Sequence, residues 1–247
     1  MNLTESLRAR RARNSARDSL ARRRLAADEA HTARRGLTLT AVLRDFVRAP
    51  SPWIILSLLV CSATARIIAG DWQLTDALIP VVAVAAFPFV EWIIHVGVLH
   101  WRPRTIGRWR LDSLLARKHR AHHADPRLPE LVFIPWQTFL WLLPALLVIG
   151  FVAFGRPELG LTFLTTVGAL GLLYEWTHFL VHTDYQPRGA VLRTVRRNHR
   201  LHHFMNEHYW FAVTTAGTAD RLLGTYPDPA RIPNSPTAKA LHQPRPA

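Results

Sequence analysis

The chain has 247 residues, 49% of them hydrophobic, and carries 31 Lys and Arg against 17 Asp and Glu, a formal charge of +14. Its single cysteine, Cys61, excludes a disulfide framework, a thiolate zinc site and a cysteine-ligated iron–sulfur cluster within one chain. The charge would suit nucleic acid, anionic lipid or an acidic protein, but long uncharged apolar blocks and the lack of a nucleic-acid-binding motif exclude nucleic acid.

Residues 1–50 form an arginine-rich arm with 12 of the 31 basic residues, interspersed with Glu5, Asp18, Asp28, Glu29 and Asp45. It lacks the apolar core and small-residue cleavage site of a secretory signal. Its composition suits a solvated, partly disordered segment lying along anionic lipid. Four stretches then approach the ~20 mainly apolar residues that a helix needs to cross the hydrocarbon layer. They run from Pro52 to Ala69, Ala77 to His100, Leu131 to Phe154, and Leu159 to Leu180. Arg66, near the end of the first, is expected to snorkel to the interface. Pro80, Pro88, Pro135 and Pro144 are expected to kink spans rather than abolish them. One such block would suit a buried soluble helix; four argue for a bundle in a membrane.

The loops give an orientation, because cytoplasmic segments near spans are enriched in Lys and Arg. The first interspan loop holds Asp71 and Asp76 and the third is a few residues around Arg156 and Glu158, whereas the second carries Arg102, Arg104, Arg108, Arg110, Arg117, Lys118, Arg120 and Arg127. With Arg188 to Arg200 after the fourth span and the arginine arm before the first, every strongly basic segment falls on one side. The expectation is an integral membrane protein, in the cell membrane, with both termini and the middle loop cytoplasmic.

Ten of the 13 histidines fall into four groups that map to this same side. They are His95 and His100; His119, His122 and His123; His178 and His182; and His199, His202 and His203. Residues three and four apart share a helix face, so each His-x2-His-His triplet is expected to present three rings in one direction. His95 and His100 diverge by about 140° on an ideal helix, which places His100 at or past a helix end. Gathering so many imidazoles costs polar burial and, if they are protonated, charge repulsion; a divalent metal removes both costs. Imidazole suits zinc, copper, iron and nickel alike, and ten ligands are too many for one ion. Glu91, four residues before His95, and Glu175, three before His178, are candidates to accept a ring N–H and orient a ligand. An interface ion pair is the plainer role for either carboxylate. Asp125, Asn198 and His208 are weaker candidates.

The order His-x4-His, His-x2-His-His, His-x3-His, His-x2-His-His resembles the fatty acid hydroxylase and sterol desaturase superfamily, over a region from about Phe89 to Tyr226. The segments from His208 to Thr215 and from Asp220 to Tyr226 are similar to the stretch that closes the catalytic region in that superfamily, with Ala212 where glycine is expected. The resemblance implies an all-α membrane protein, a bundle of about four transmembrane helices with a cytoplasmic helical cap holding a di-metal site. It implies two Fe ions held by His95, His100, His119, His122, His123, His178, His182, His199, His202 and His203, with zinc as the substitute in a purified sample. Dioxygen is the implied co-substrate, for hydroxylation of a C–H bond in a fatty acyl, sterol, carotenoid or amino-lipid substrate. Electrons are expected from a separate donor such as ferredoxin or a b-type cytochrome. Desaturation on the same scaffold, or a non-catalytic membrane metal-binding protein, are the alternatives. The expected division is an arm over 1–50, a transmembrane hydroxylase domain over 51–228 and a C-terminal tail over 229–247.

Overall fold

A computed structural model describes residues 37–242, so the expectations for the first 36 residues of the arm and for 243–247 lie outside the described residues. The end of the arm differs from the expected solvated segment. Helix α1, Leu39–Phe46, starts at Thr38, whose hydroxyl accepts the Ala41 N–H at 3.2 Å, and it buries Val42 and Phe46 on one face. Their four-residue spacing lets both reach the core. The Phe46 ring meets Trp176 edge-on at 5.1 Å and lies within 6 Å of Phe133 and Phe179.

Among the described residues, four helical stretches are long and apolar enough to cross a membrane, and they lie close to the expected limits. The first is α2, Pro50–Ala69. The second is a 3-10 turn, Leu74–Ala77, running into α3, Leu78–Ile94, and then a π-helical segment, His95–Leu99. The third breaks near its start. A one-turn α4, Pro129–Val132, a 3-10 turn, Trp136–Thr138, and α5, Phe139–Val152, share the crossing. Helix α5 alone is only about 21 Å long, against a hydrocarbon layer of about 30 Å. Pro88 and Pro144 sit inside helices, as expected. Pro135 does more than kink its span, because the residue before a proline is driven out of helical conformation. The freed Ile134 N–H donates to the Glu175 carboxylate at 3.0 Å. The fourth span is α6, Pro157–His182.

Small residues set how closely these helices pack. A Cβ on Gly168 of α6 would stand 3.0–3.2 Å from Leu59 of α2, and one on Gly160 only 1.9 Å from the Gly150 carbonyl of α5. Arg66 does not snorkel. It is 3% exposed, donates to Asp76 at 2.5 Å, to Thr162 at 2.9 Å and to the Gly70 carbonyl, and stacks over Trp72. Arg156 bonds Asp76 and Asp71. Pairing is a better solution for Arg66 than exposure because the charge already has a carboxylate, a hydroxyl and a carbonyl within reach.

The other end of the bundle carries a helical cap: α7, Leu114–Ala124; α8, Ala190–Phe204; and α9, Thr218–Leu222. An exposed hairpin of β1, Arg104–Ile106, and β2, Trp109–Leu111, pairs Thr105 with Arg110. The fold is thus an all-α membrane bundle with a helical cap, and all four histidine groups lie where cap and spans meet.

Candidate metal centre

Local geometry sorts the histidines into two groups. His95, His100, His119, His123 and His202 bring one ring nitrogen each within 4.8 Å of one another, and so do His122, His182, His199 and His203. The groups adjoin, with the His123 and His203 ring centroids 4.2 Å apart. Each triplet is therefore divided rather than aimed in one direction. His119 and His123, four apart on α7, go to the first group, and His122 goes to the second. His199 and His203 on α8 go to the second, and His202 to the first. Successive residues diverge by about 100° on a helix, so neighbours such as His122 and His123 face different pockets.

His95 and His100 reach the same pocket because the helix between them is not α. The His100 N–H donates to the His95 carbonyl at 2.9 Å, an i→i+5 bond, and this π turn stacks residues five apart. Their ring centroids are 5.0 Å apart.

The Nε2–Nε2 separations show what the groups can hold. In the first group they are 3.1 Å for His95 and His119, 3.1 Å for His119 and His123, and 3.2 Å for His100 and His202. In the second they are 3.1 Å for His122 and His182, 2.8 Å for His182 and His199, and 3.0 Å for His199 and His203. Two imidazoles at right angles on an ion, with bonds of ~2.1 Å, stand about 3.0 Å apart. Hydrogen bonding cannot explain all of these contacts. The Nδ1–H of His95 donates to the Phe211 carbonyl at 2.6 Å and that of His123 to the Ala238 carbonyl at 2.9 Å, which leaves both Nε2 atoms as lone pairs. Both face His119 Nε2, which carries at most one proton. A cation between them resolves the conflict.

Burial, with repulsion among neighbouring imidazoles, holds His100, His119, His122, His199, His202 and His203 well below the ordinary histidine range. Burial pushes His123 down to about 3 against the opposing pull of the Ala238 carbonyl. Neutral imidazole is the form that binds metal, so the donor set fits a pair of ions.

The tenth expected residue, His178, stands beside the second group, its ring centroid 4.9–5.2 Å from those of His122, His182 and His199. It is buried, and neither ring nitrogen makes a hydrogen bond; the Val132 carbonyl is nearby but outside bonding geometry. His208 is exposed and lies 3.5 Å from Glu207, apart from both groups.

Glu91 and Glu175 are buried close to the site, but neither bonds a histidine ring. Glu91 accepts the N–H groups of Val213 and Thr214 at 2.5 and 2.8 Å and the Thr214 hydroxyl at 2.7 Å. Glu175 accepts Ile134 N–H and so secures the broken third span. Main-chain carbonyls orient the rings instead: Phe211 for His95, Tyr209 for His202 at 2.8 Å, and Ala238 for His123. Between the first two, Trp210 has φ +56°, a strained conformation for a bulky residue. Asp220 holds this segment in place by accepting from Phe211 N and Ala212 N, both at 2.9 Å, and from the Thr225 hydroxyl at 2.6 Å. Sequence reasoning missed this role for Asp220, although the residue lies in the stretch similar to the superfamily. Asn198 is buried and accepts the Tyr226 hydroxyl, whose ring closes over Gly217 where a Cβ would stand 2.5 Å away. Asp125 is an exposed helix end.

Comparison with known proteins agrees with this geometry. The family model described as fatty acid hydroxylase matches residues 80–225, more than half of the chain, and the protein belongs to that family. It is 32% identical to mouse fatty acid 2-hydroxylase over 133 residues, 51% of this chain and 34% of that one. It is 27% identical to an Arabidopsis thaliana dihydroceramide fatty acyl 2-hydroxylase over 153 residues, 61% of this chain and 62% of that one. The chain thus spans about a third of the mouse relative's length. Among solved structures, full-length scs7p, in which only the hydroxylase domain is visible, has the same fold, with a TM-score of 0.59, 21% identity, and coverage of 75% of this chain and 69% of that one.

Proposed function

We propose that this protein is a dioxygen-dependent di-iron hydroxylase of an acyl lipid, acting on a carbon close to the headgroup. The supporting observation is the pair of adjoining histidine groups at the end of a membrane bundle, the second of which reaches an apolar-walled cleft through His182. Held by these ten histidines, with His178 completing the second position by a small turn of its ring, two iron ions would supply the redox chemistry that zinc lacks. One oxygen atom enters a C–H bond and the other leaves as water, which requires two electrons and two protons per turnover.

The protein's own contribution is placement. A cleft of about 650 Å³ is lined by Val42, Val132, Phe133, Trp136 and Phe179, and it reaches His182 of the second group. The break at residues 133–135 forms one of its walls. Arg48, Lys118 and Arg127 stand at its rim. A lipid whose head stays at the interface presents its first carbons, not its tail end, to a centre at the ends of the spans. That arrangement agrees with the 2-hydroxylase names of the relatives. The apolar walls, with Phe179 and Val132 buried and Phe133 half-buried, would keep water from the reacting carbon and hold it in place.

Electrons come from a separate redox protein such as a ferredoxin or b-type cytochrome. Arg193, Arg196, Arg197 and Arg200 of α8 line a second cleft, of about 920 Å³, on the helix that carries His199, His202 and His203. Its charge suits an acidic donor surface by electrostatic steering. The positive-inside rule supports a reading with both termini and the metal centre on the cytoplasmic side.

The test is lipid analysis of cells expressing the chain or its His122→Ala variant, grown under isotopically labelled dioxygen. The expected result is an acyl lipid that carries one labelled hydroxyl near its head and is missing in the variant. An unlabelled product two hydrogens lighter would favour desaturation, and an unchanged lipid profile with a competent reductant present would refute the assignment.

A further inference from the structure

The segment after residue 228 was expected to be a tail, and it lies beyond the residues that match the family model. In the structure it crosses back over the first histidine group. Three bonds fasten it to the residues that directly follow His202 and His203. Asn206 Nδ2 donates to the Pro233 carbonyl at 3.2 Å, Ser235 N to the Met205 carbonyl at 2.7 Å, and the Thr237 hydroxyl to Glu207 Oε1 at 2.5 Å. Glu207 is 2% exposed, and its other oxygen has no hydrogen-bond partner, so the Thr237 hydroxyl is a principal compensation for that buried carboxylate. One residue on, the Ala238 carbonyl takes the His123 Nδ1–H at 2.9 Å, and His242 Nε2 donates to the His100 carbonyl at 2.9 Å. Ala238 and Leu241 are buried.

We propose that residues 229–242 act as a positioning strap for the first metal position, with Glu207 and Thr237 as its latch. The inference rests on the metal-centre reading. A carbonyl on the far nitrogen fixes which tautomer a ligating histidine adopts and where its ring points, and losing such a partner typically weakens metal binding by about 10- to 100-fold. The strap provides that carbonyl for His123, and it is tied to the chain end of α8, which contributes His202. Two ligands from separate helices are thereby held in mutual register. In the second group, His122, His199 and His203 have no partner on Nδ1, and the carbonyl beside His182 is that of Pro126, outside the strap.

The experiment measures metal per chain and resistance to a chelator in the detergent-purified full-length protein loaded with iron or zinc. Thr237→Val keeps the shape and removes the latch. It is expected to make one of the two metals about 10- to 100-fold easier to strip while the other is unaffected. Thr237→Ser should restore wild-type resistance. In a His122→Ala background, which cripples the second position, Thr237→Val should strip the remaining metal. The proposal is overturned if Thr237→Val keeps both metals at wild-type resistance, or if it loosens both equally, as a general loss of stability would. A wild-type chain that takes up no metal would instead sink the metal-centre reading itself, and this is seen before any variant is made.

Discussion

The two histidine groups are built from similar parts and supported differently. In the first, three of five rings have Nδ1 bonded to main-chain carbonyls of Tyr209, Phe211 and Ala238, and those carbonyls are held in turn by Asp220, Thr225 and the strap. In the second, His122, His199 and His203 have no such partner, His178 has only the Val132 carbonyl beside it outside bonding geometry, and His182 alone meets a main-chain carbonyl, that of Pro126. A ring fixed from behind keeps its lone pair aimed whether or not an ion is present; an unfixed ring must be aimed by the ion. The first position is therefore preorganised, and the second adapts. The adaptable position also faces the apolar cleft through His182.

The largest effects that would break this comparison come from the ligands themselves. His119→Ala and His199→Ala should each reduce hydroxylated product by more than about 100-fold, beyond what loss of an orienting partner costs, and elemental analysis should find one metal per chain in either. Next is Asp220→Ala, which strands the N–H groups of Phe211 and Ala212 and the Thr225 hydroxyl. Chelator competition should show the first position weakened by about 10- to 100-fold and the second little changed. His178→Ala should weaken the second position by no more than about 10-fold, since its ring has to move to bind. A second position that empties outright would show it to be as rigid as the first. The smallest change is Glu91→Gln. The amide oxygen still accepts from Val213 or Thr214, so thermal unfolding should shift by only about 1–2 kcal/mol, with both metals retained.

The sequence made the four spans legible because each is a long block of one polarity, and it made the histidine groups legible because spacings of three and four carry helical geometry in themselves. The π turn was not legible. Nothing in His-Val-Gly-Val-Leu-His distinguishes an i→i+5 turn from a helix end, and on α geometry the two rings diverge. The carbonyl anchors were hidden for a more general reason: every residue has a carbonyl, so Tyr209, Phe211 and Ala238 bear no mark of that role. Glu91 and Glu175 stood out as acids in apolar runs, but a buried carboxylate accepts from a peptide N–H as readily as from an imidazole. Only distance decides between them. Helix α1 did leave a signal, with Thr38 as a cap before Leu39, Val42 and Phe46 at helical spacing. The arginines around it obscured the pattern.

The π turn at His95 has one more consequence. It fits one more amino acid into a turn than an α-helix does, so everything after it stands about 100° back and about 1.5 Å short of where an unbroken α-helix of the same sequence would carry it. The membrane-facing surface of α3 and the aim of His100 are therefore set independently. Forcing these same residues into α geometry would leave the crossing nearly as long and as greasy as before, yet would swing one imidazole out of the pocket, whereas deleting Gly97 would leave the two rings four apart and on one face.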